Sequence, residues 1–240
     1  MTKLLYQKDS YLKEFDAIVT AVDPEMHAVV LDQTAFYPGG GGQVHDLGFL
    51  KFGAFRANLK RIKHSPQGIL HIFEEGHQLP QPGASVHGCI DWDHRYKVMR
   101  THTAMHILCG TIFRDYGALV TGGNMDPLSG RMDFEFENLT RERIALIEES
   151  VNKEVQAARE VRIAIHTRKE AFMIPDLIRT KINLLPEHIT EIRTIEIVGL
   201  DLQADGGTHV KNTSEVGRIR ITDYKSKGKI NKRIYVELEE

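Results

Sequence analysis

The sequence predicts an α+β protein, a small β-barrel followed by a two-layer α/β domain in which helices cover a mostly antiparallel sheet. Three observations carry this. Short runs rich in β-branched and aromatic residues recur between residues 16 and 91, with Gly and Pro between them. Near Asp93 the hydrophobic period changes from that of a strand to that of a helix. With 41% apolar residues in 240, the chain has material for one large core or two small ones.

In order, residues 16–22 and 27–32 are β-rich runs joined through Asp23-Pro24-Glu25, which predicts a hairpin. Residues 49–52, 55–62, 69–73 and 85–91 alternate or nearly so, and strands at such spacing predict a barrel. Pro80-Gln81-Pro82-Gly83 looks like a linker, but the strand after it closes the barrel. The expected division is therefore a barrel domain over 1–92 and a second domain over 93–240. Asp93 caps a helix running to about Tyr116, where Gly117 ends it. Residues 130–137 alternate as a strand with Met132, Phe134 and Phe136 on one face. A second helix runs from Thr140, its N-cap, to residue 160, with Glu142 in the first turn and Arg143 where a full capping box would need Glu or Gln. A strand over 161–167, a short helix or turn over 169–176 interrupted by Pro175, and a strand over 192–197 follow. Residues 218–224 and 233–238 bracket 225–232 as a long hairpin. Two helices over one antiparallel sheet make the second domain.

Composition excludes several classes. A formal charge of −2 argues against a globally basic nucleic-acid binder, so any RNA contact comes from local patches. No apolar run is long enough for a membrane span, and the N-terminus lacks a signal peptide's hydrophobic core. Cys89 and Cys109 give no disulfide framework and suit a reducing compartment, so the expected location is the cytoplasm.

The chemistry centres on His102-Thr103-Ala104-Met105-His106. Two imidazoles four residues apart on a helix lie about 40° apart around the axis and roughly 6 Å along it, which is metal-ligand spacing. Among 12 histidines such a pair also arises as two ordinary helix residues. A zinc protease would need Glu directly after the first His, where Thr103 stands. Cys109 lies seven residues from His102, about 10.5 Å along the axis, too far for all three to close on one ion, so it at most replaces one ligand and otherwise reads as a buried small hydrophobe. Asp205-Gly206-Gly207-Thr208-His209 offers a carboxylate and an imidazole joined by a tight turn. With His102 and His106 they make a His₃Asp shell suited to one zinc ion. Taken alone, that stretch is also readable as a glycine turn that ends in His.

Two further stretches carry candidate contacts. Gly39, Gly40, Gly41 and Gly42 cost backbone entropy, roughly 0.5 to 1 kcal/mol each relative to Ala, and mark a main chain that comes close to a ligand or to the neighbouring domain. No dinucleotide or phosphate-loop pattern is present, so no nucleotide cofactor is expected. At the tip of the long hairpin, Lys225, Lys227, Lys229, Lys232 and Arg233 put five cations within nine residues. They suit a phosphate backbone, or equally a charged edge that resists strand pairing.

Together these blocks resemble the free-standing alanyl-tRNA editing proteins, relatives of the editing half of alanyl-tRNA synthetase. The resemblance rests on residues 34–43 with Asp46 and Gly48 beyond, on His102-Thr103-Ala104-Met105-His106, on Gly206-Gly207-Thr208-His209-Val210, and on Lys227-Gly228-Lys229 ahead of Arg233. It implies a barrel joined to an editing domain of the threonyl/alanyl-tRNA synthetase type. It also implies one zinc, and a reaction that removes serine or glycine from tRNA(Ala). Asp205 departs from the family, which usually has Cys there. Telling serine from alanine requires a partner for one hydroxyl, and Thr34 and Gln43, flanking the glycine loop, are the candidate catalytic residues, with Thr103 a third. Gly39, Gly40, Gly41, Gly42, Lys227, Lys229, Lys232 and Arg233 are the candidate substrate contacts. The competing expectation is a tRNA-binding module with a structural zinc and no turnover. A structural site, normally closed by four ligands, would have sulfur prominent, whereas this set is histidine-rich and has no Cys-x-x-Cys. A nonspecific esterase is disfavoured by the lack of a G-x-S-x-G elbow.

Overall fold

In the computed structural model, which describes residues 2–175, 177 and 190–239, alternation decides the architecture of the first unit, Met1–Lys97. Strand β1 (Lys3–Leu4) is followed by β2 (Glu14–Asp23), β3 (Ala28–Leu31), β4 (Gln33–Thr34), β5 (Gly48–Phe52), β6 (Phe55–Ser65), β7 (Gly68–Phe73) and β8 (Ser85–Ile90). Six of these close a barrel in the order β2-β3-β7-β6-β5-β8, and they are the six runs that the sequence predicts. Phe15, Ala17 and Val19 of β2 point inward, where they pack with Leu31, Phe36, Leu50, Ile62 and Phe73. Each such side chain contributes about 1.5–3 kcal/mol on burial. Gly88 makes room for Phe15, since a Cβ there would lie 2.4 Å from its ring. The Pro-rich stretch before β8 is a bonded turn: Gly83 N donates to Val19 O at 2.8 Å and Ala84 N to Gln81 O at 3.0 Å. Strands β1 and β4 pair with each other over two residues, too short to leave a pattern in sequence.

Helix α1 (Trp92–Tyr116) follows directly. Its cap is Asp91, whose Oδ1 accepts from His94 N at 3.2 Å. Asp93, expected as the cap, lies inside the first turn and pairs with Lys97 at 2.9 Å. Gly117, at φ +66°, ends the helix. Every residue over 101–112 is buried, so this stretch is enclosed on all sides.

The second unit, Val98–Glu240, continues with β9 (Val120–Asp126), β10 (Ser129–Glu135), α2 (Arg141–Gln156), β11 (Val161–Thr167), α3 (Arg168–Ala171), β12 (Glu191–Ile197), β13 (Asp201–Ala204), β14 (Ile219–Ser226) and β15 (Asn231–Leu238). Its strands form two sheets, β14-β15-β10-β9 and β11-β12-β13, where the sequence suggests one. Thr140 caps α2, accepting from Arg143 N at 3.2 Å. The helix stops at Gln156, short of residue 160, because Ala158 turns to φ +50° and Glu160 bridges to Asn212. A capping box from Thr167 and Glu170 starts α3, and its expected end at Asp176 lies outside the described residues.

Candidate metal centre

The i, i+4 spacing on α1 places His102 and His106 on one face, with ring centroids 5.1 Å apart. Just past β13, the Asp205-Gly206-Gly207 turn is held by Gly207 N donating to Asp205 Oδ1 at 2.6 Å, and it delivers His209 between the two rings. The centroid of His209 lies 4.1 Å from that of His102 and 4.8 Å from that of His106. All four donor groups converge within 4.8 Å. Asp205 Oδ2 is 3.4 Å from His102 Nε2 and 3.9 Å from His106 Nε2, and Oδ1 is 3.1 Å from His209 Nε2. Donors around a tetrahedral ion with bonds of about 2.0–2.2 Å stand about 3.3–3.6 Å apart, so these separations fit zinc within a few tenths of an ångström.

The outer nitrogens are spoken for, which fixes which nitrogens face inward. His106 Nδ1 lies 3.0 Å from Asp201 Oδ2, and His209 Nδ1 lies 3.2 Å from Thr103 Oγ1. Thr103 Oγ1 already accepts from Val210 N at 3.3 Å. His106 therefore donates outward to the Asp201 carboxylate, and the contact with Thr103 holds the His209 ring, so that both rings keep Nε2 on the side of the centre, the orientation a metal requires. Gln203 Nε2 in turn donates to Asp201 at 2.6 Å. Helix α1 admits Asp201 through Gly110, where a Cβ would meet Asp201 Cβ at 2.8 Å.

Charge follows the same layout. Burial holds His102 below the usual imidazole range and His209 well below it, the latter assisted by the neighbouring His102 charge. His106 loses most from burial, yet its hydrogen bonds to Asp201 and Asp205 and their charges push it up to about 9. Burial alone would raise Asp205, but the surrounding imidazoles hold it well below the carboxylate range. An anion balanced by one imidazolium is a place where a divalent cation displaces a proton.

Sequence reasoning missed Asp201. Asp201, Gln203 and Asp205 alternate at i, i+2 and i+4, which on a strand puts them on one face. Thr103, a candidate for serine recognition or for a purely structural place on the helix, has Oγ1 3.2 Å from His209 Nδ1.

The other candidates lie elsewhere. In the barrel unit, Gly39, Gly40, Gly41 and Gly42 all have positive φ, from +57° to +135°. Gly40 and Gln43 exchange backbone hydrogen bonds at 2.9 and 3.0 Å around Gly41 and Gly42, a two-residue turn that requires left-handed backbone at both positions. At Gly41 conformation rather than crowding demands glycine, for a Cβ there would meet nothing within 4 Å, whereas at Gly39 a Cβ would also come within 3.3 Å of His45 N. Gln43 is buried at the end of the turn. Thr34 is fully buried, its Oγ1 2.8 Å from His71 Nε2 and accepting from Phe36 N at 3.2 Å. Asp46 anchors the loop by accepting from Tyr37 N at 2.5 Å and from the buried guanidinium of Arg95, which also donates to Ala35 O and Ser10 O. At the hairpin tip, Lys227 and Lys229 are exposed. Lys232 Nζ donates to Gly228 O and Lys229 O at 2.7 and 2.9 Å, and Arg233 grips Asp133 through two bonds of 2.6 and 2.8 Å.

The chain was compared with known proteins. A family model described as the threonyl and alanyl tRNA synthetase second additional domain matches residues 192–235, and one described as tRNA synthetases class II (A) matches residues 6–94. The chain is 43% identical over 237 residues to alanyl-tRNA editing protein AlaX-M of Saccharolobus solfataricus, covering 98% of each. With AlaX-M of Methanosarcina mazei it shares 39% identity over 249 residues, covering 99% of this chain and 97% of the relative. It is 38% identical over 227 residues to alanine–tRNA ligase of Pyrobaculum neutrophilum, covering 92% of this chain and 25% of the ligase. With identity at this level along nearly its whole length, the chain belongs to the AlaX-M family of alanyl-tRNA editing proteins.

Proposed function

We propose that this protein is a zinc-dependent aminoacyl-tRNA deacylase that hydrolyses Ser-tRNA(Ala), and Gly-tRNA(Ala) as well, as a separate editing protein in the cytoplasm. The observation that carries this is the convergence of three imidazole Nε2 atoms and the Asp205 carboxylate, with Asp201 and Thr103 fixing two of the rings. His102, His106 and His209 hold the ion, and Asp205 is the fourth ligand. When bound, zinc supplies Lewis-acid polarisation or an acidified water at an ester that is already activated. Among the described residues no helix is long and apolar enough to cross a membrane.

The protein's own groups select and place the substrate. Thr34 and Gln43 are assigned to reading the seryl hydroxyl, and the Gly39, Gly40, Gly41 and Gly42 backbone to facing the aminoacyl end. Reading that hydroxyl would add to, or replace, the bonds that Thr34 Oγ1 makes with His71 and Phe36. Lys227 and Lys229 are assigned to the RNA backbone. Lys232 and Arg233 contribute by holding the hairpin that presents them. The domains that act are read as 1–92 and 93–240.

The alternative, a tRNA-binding module with a structural zinc, is disfavoured by a histidine-rich shell with no sulfur. Deacylation of Ser-, Gly- and Ala-tRNA(Ala) with and without a chelator tests the proposal. Release of serine and glycine, sparing of alanine and loss of activity on chelation are expected. Tight tRNA binding without turnover would return the protein to the alternative.

A further inference from the structure

Among the described residues, one other set of donors converges. Strands β2 and β8 pair antiparallel with Glu14 opposite Cys89 and Asp16 opposite His87. Val86 and Ile90 belong to the barrel core, so His87 and Cys89, alternating with them, lie on the outer face beside Glu14 and Asp16. Cys89 Sγ is 4.0 Å from Glu14 Oε1, and His87 Nε2 is 3.6 Å from Glu14 Oε2. One donor atom from each of Glu14, His87 and Cys89 lies within 4.8 Å of the others. Sulfur at about 2.3 Å and nitrogen or oxygen at about 2.0–2.2 Å from a tetrahedral ion stand about 3.3–3.7 Å apart, and the two separations to Glu14 come within a few tenths of an ångström of that range.

A second feature points the same way. His87 Nδ1 lies 2.8 Å from Asp16 Oδ1, so the ring donates outward to a carboxylate and turns Nε2 towards Glu14. His106 and Asp201 show this same arrangement. Lys51, opposite His87 on β5, and Arg56 lie over the Phe49 ring, 5.5 and 3.8 Å from its centroid, beside the Cys89 position.

We propose that Glu14, His87 and Cys89 form a second cation site, taking a borderline divalent ion of the zinc class through one thiolate, one imidazole and one carboxylate. Asp16 orients His87, and solvent takes the fourth position. On binding, the Cys89 thiol gives its proton to solvent and no electron is transferred. The ion bridges β2 to β8, a pairing that closes the barrel.

Cobalt(II) titration of the metal-free full chain tests this, because the His102 centre has no sulfur donor. Thiolate-to-cobalt charge transfer in the near ultraviolet therefore reports the barrel site alone. About two equivalents of cobalt with that absorption are expected, falling to about one, without it, in Cys89→Ser. His102→Ala and Cys109→Ser should each keep the near-ultraviolet band. If Cys89→Ser fails to fold, Glu14→Gln and His87→Gln should each need more cobalt to reach the same band intensity. Absence of the band in the wild type, its survival in Cys89→Ser, its loss in Cys109→Ser, or an unchanged titration in Glu14→Gln and His87→Gln would overturn the proposal.

Discussion

Asp205 serves two groups of neighbours, accepting from Gly207 N on one oxygen while turning the other to His102 and His106. Asp205→Ala is expected to weaken zinc yet leave a three-histidine site, and Asp205→Cys to bind zinc more tightly than the wild type, since thiolate is the softer ligand. Competition with a chromophoric chelator measures both, and equal affinity in all three proteins would exclude ligation by Asp205. Asp201→Asn keeps the shape but removes the charge behind His106, and should cost about 10–100-fold in zinc affinity. The convergence of the four candidate ligands was legible because helical spacing and a glycine turn leave marks in sequence. Asp201 left only a strand alternation four residues long, and Gly110 looked like any small helix residue.

At the scale of elements, α1 and β13 meet closely only because Gly110 has no side chain. Gly110→Ala must push β13 outward, and zinc affinity should fall in parallel with Asp201→Asn, as the same chelator competition shows. In the β14–β15 hairpin, Lys227→Gln with Lys229→Gln should weaken tRNA binding and flatten its logarithmic salt slope by about 0.7–0.9 per contact. Lys232→Gln should instead leave the slope nearly unchanged and lower stability, because Lys232 Nζ ties down the Gly228 and Lys229 carbonyls. Filter binding across a salt series separates the two classes. Among the barrel strands, β2 was readable from the alternation of its first seven residues, whereas β3 and β7, buried almost throughout, were readable as short apolar β-rich runs. Strand β9, with Gly122-Gly123 at its centre, carries no such alternation, and β13 is too short for one.

At the scale of the whole molecule, a buried histidine of the barrel unit links stability to pH. Burial pushes His71 down to about 4, below the ordinary value of about 6.5, so the native protein binds fewer protons there than the unfolded chain. Its contribution is intact above about pH 6.5 and is lost as pH falls towards 4, by about 2–3 kcal/mol near pH 4.5. Denaturation of wild type and His71→Gln at both ends of that window checks this: the gap between them should narrow in acid by that amount.

The metal centre joins residues made early to residues made late, for 106 positions separate Thr103 from His209. At about 5–20 residues per second, a ribosome takes roughly 5–20 s to travel from one half to the other. Throughout that interval the nascent chain shows His102 and His106 without the carboxylate and third imidazole that complete the set. A lone histidine pair holds a cation loosely, so any ion met during synthesis exchanges freely. An ion taken up by the candidate site would be the one present when Asp205 and His209 arrive, which would make metal identity a property of the finished chain's surroundings rather than of the order of its synthesis.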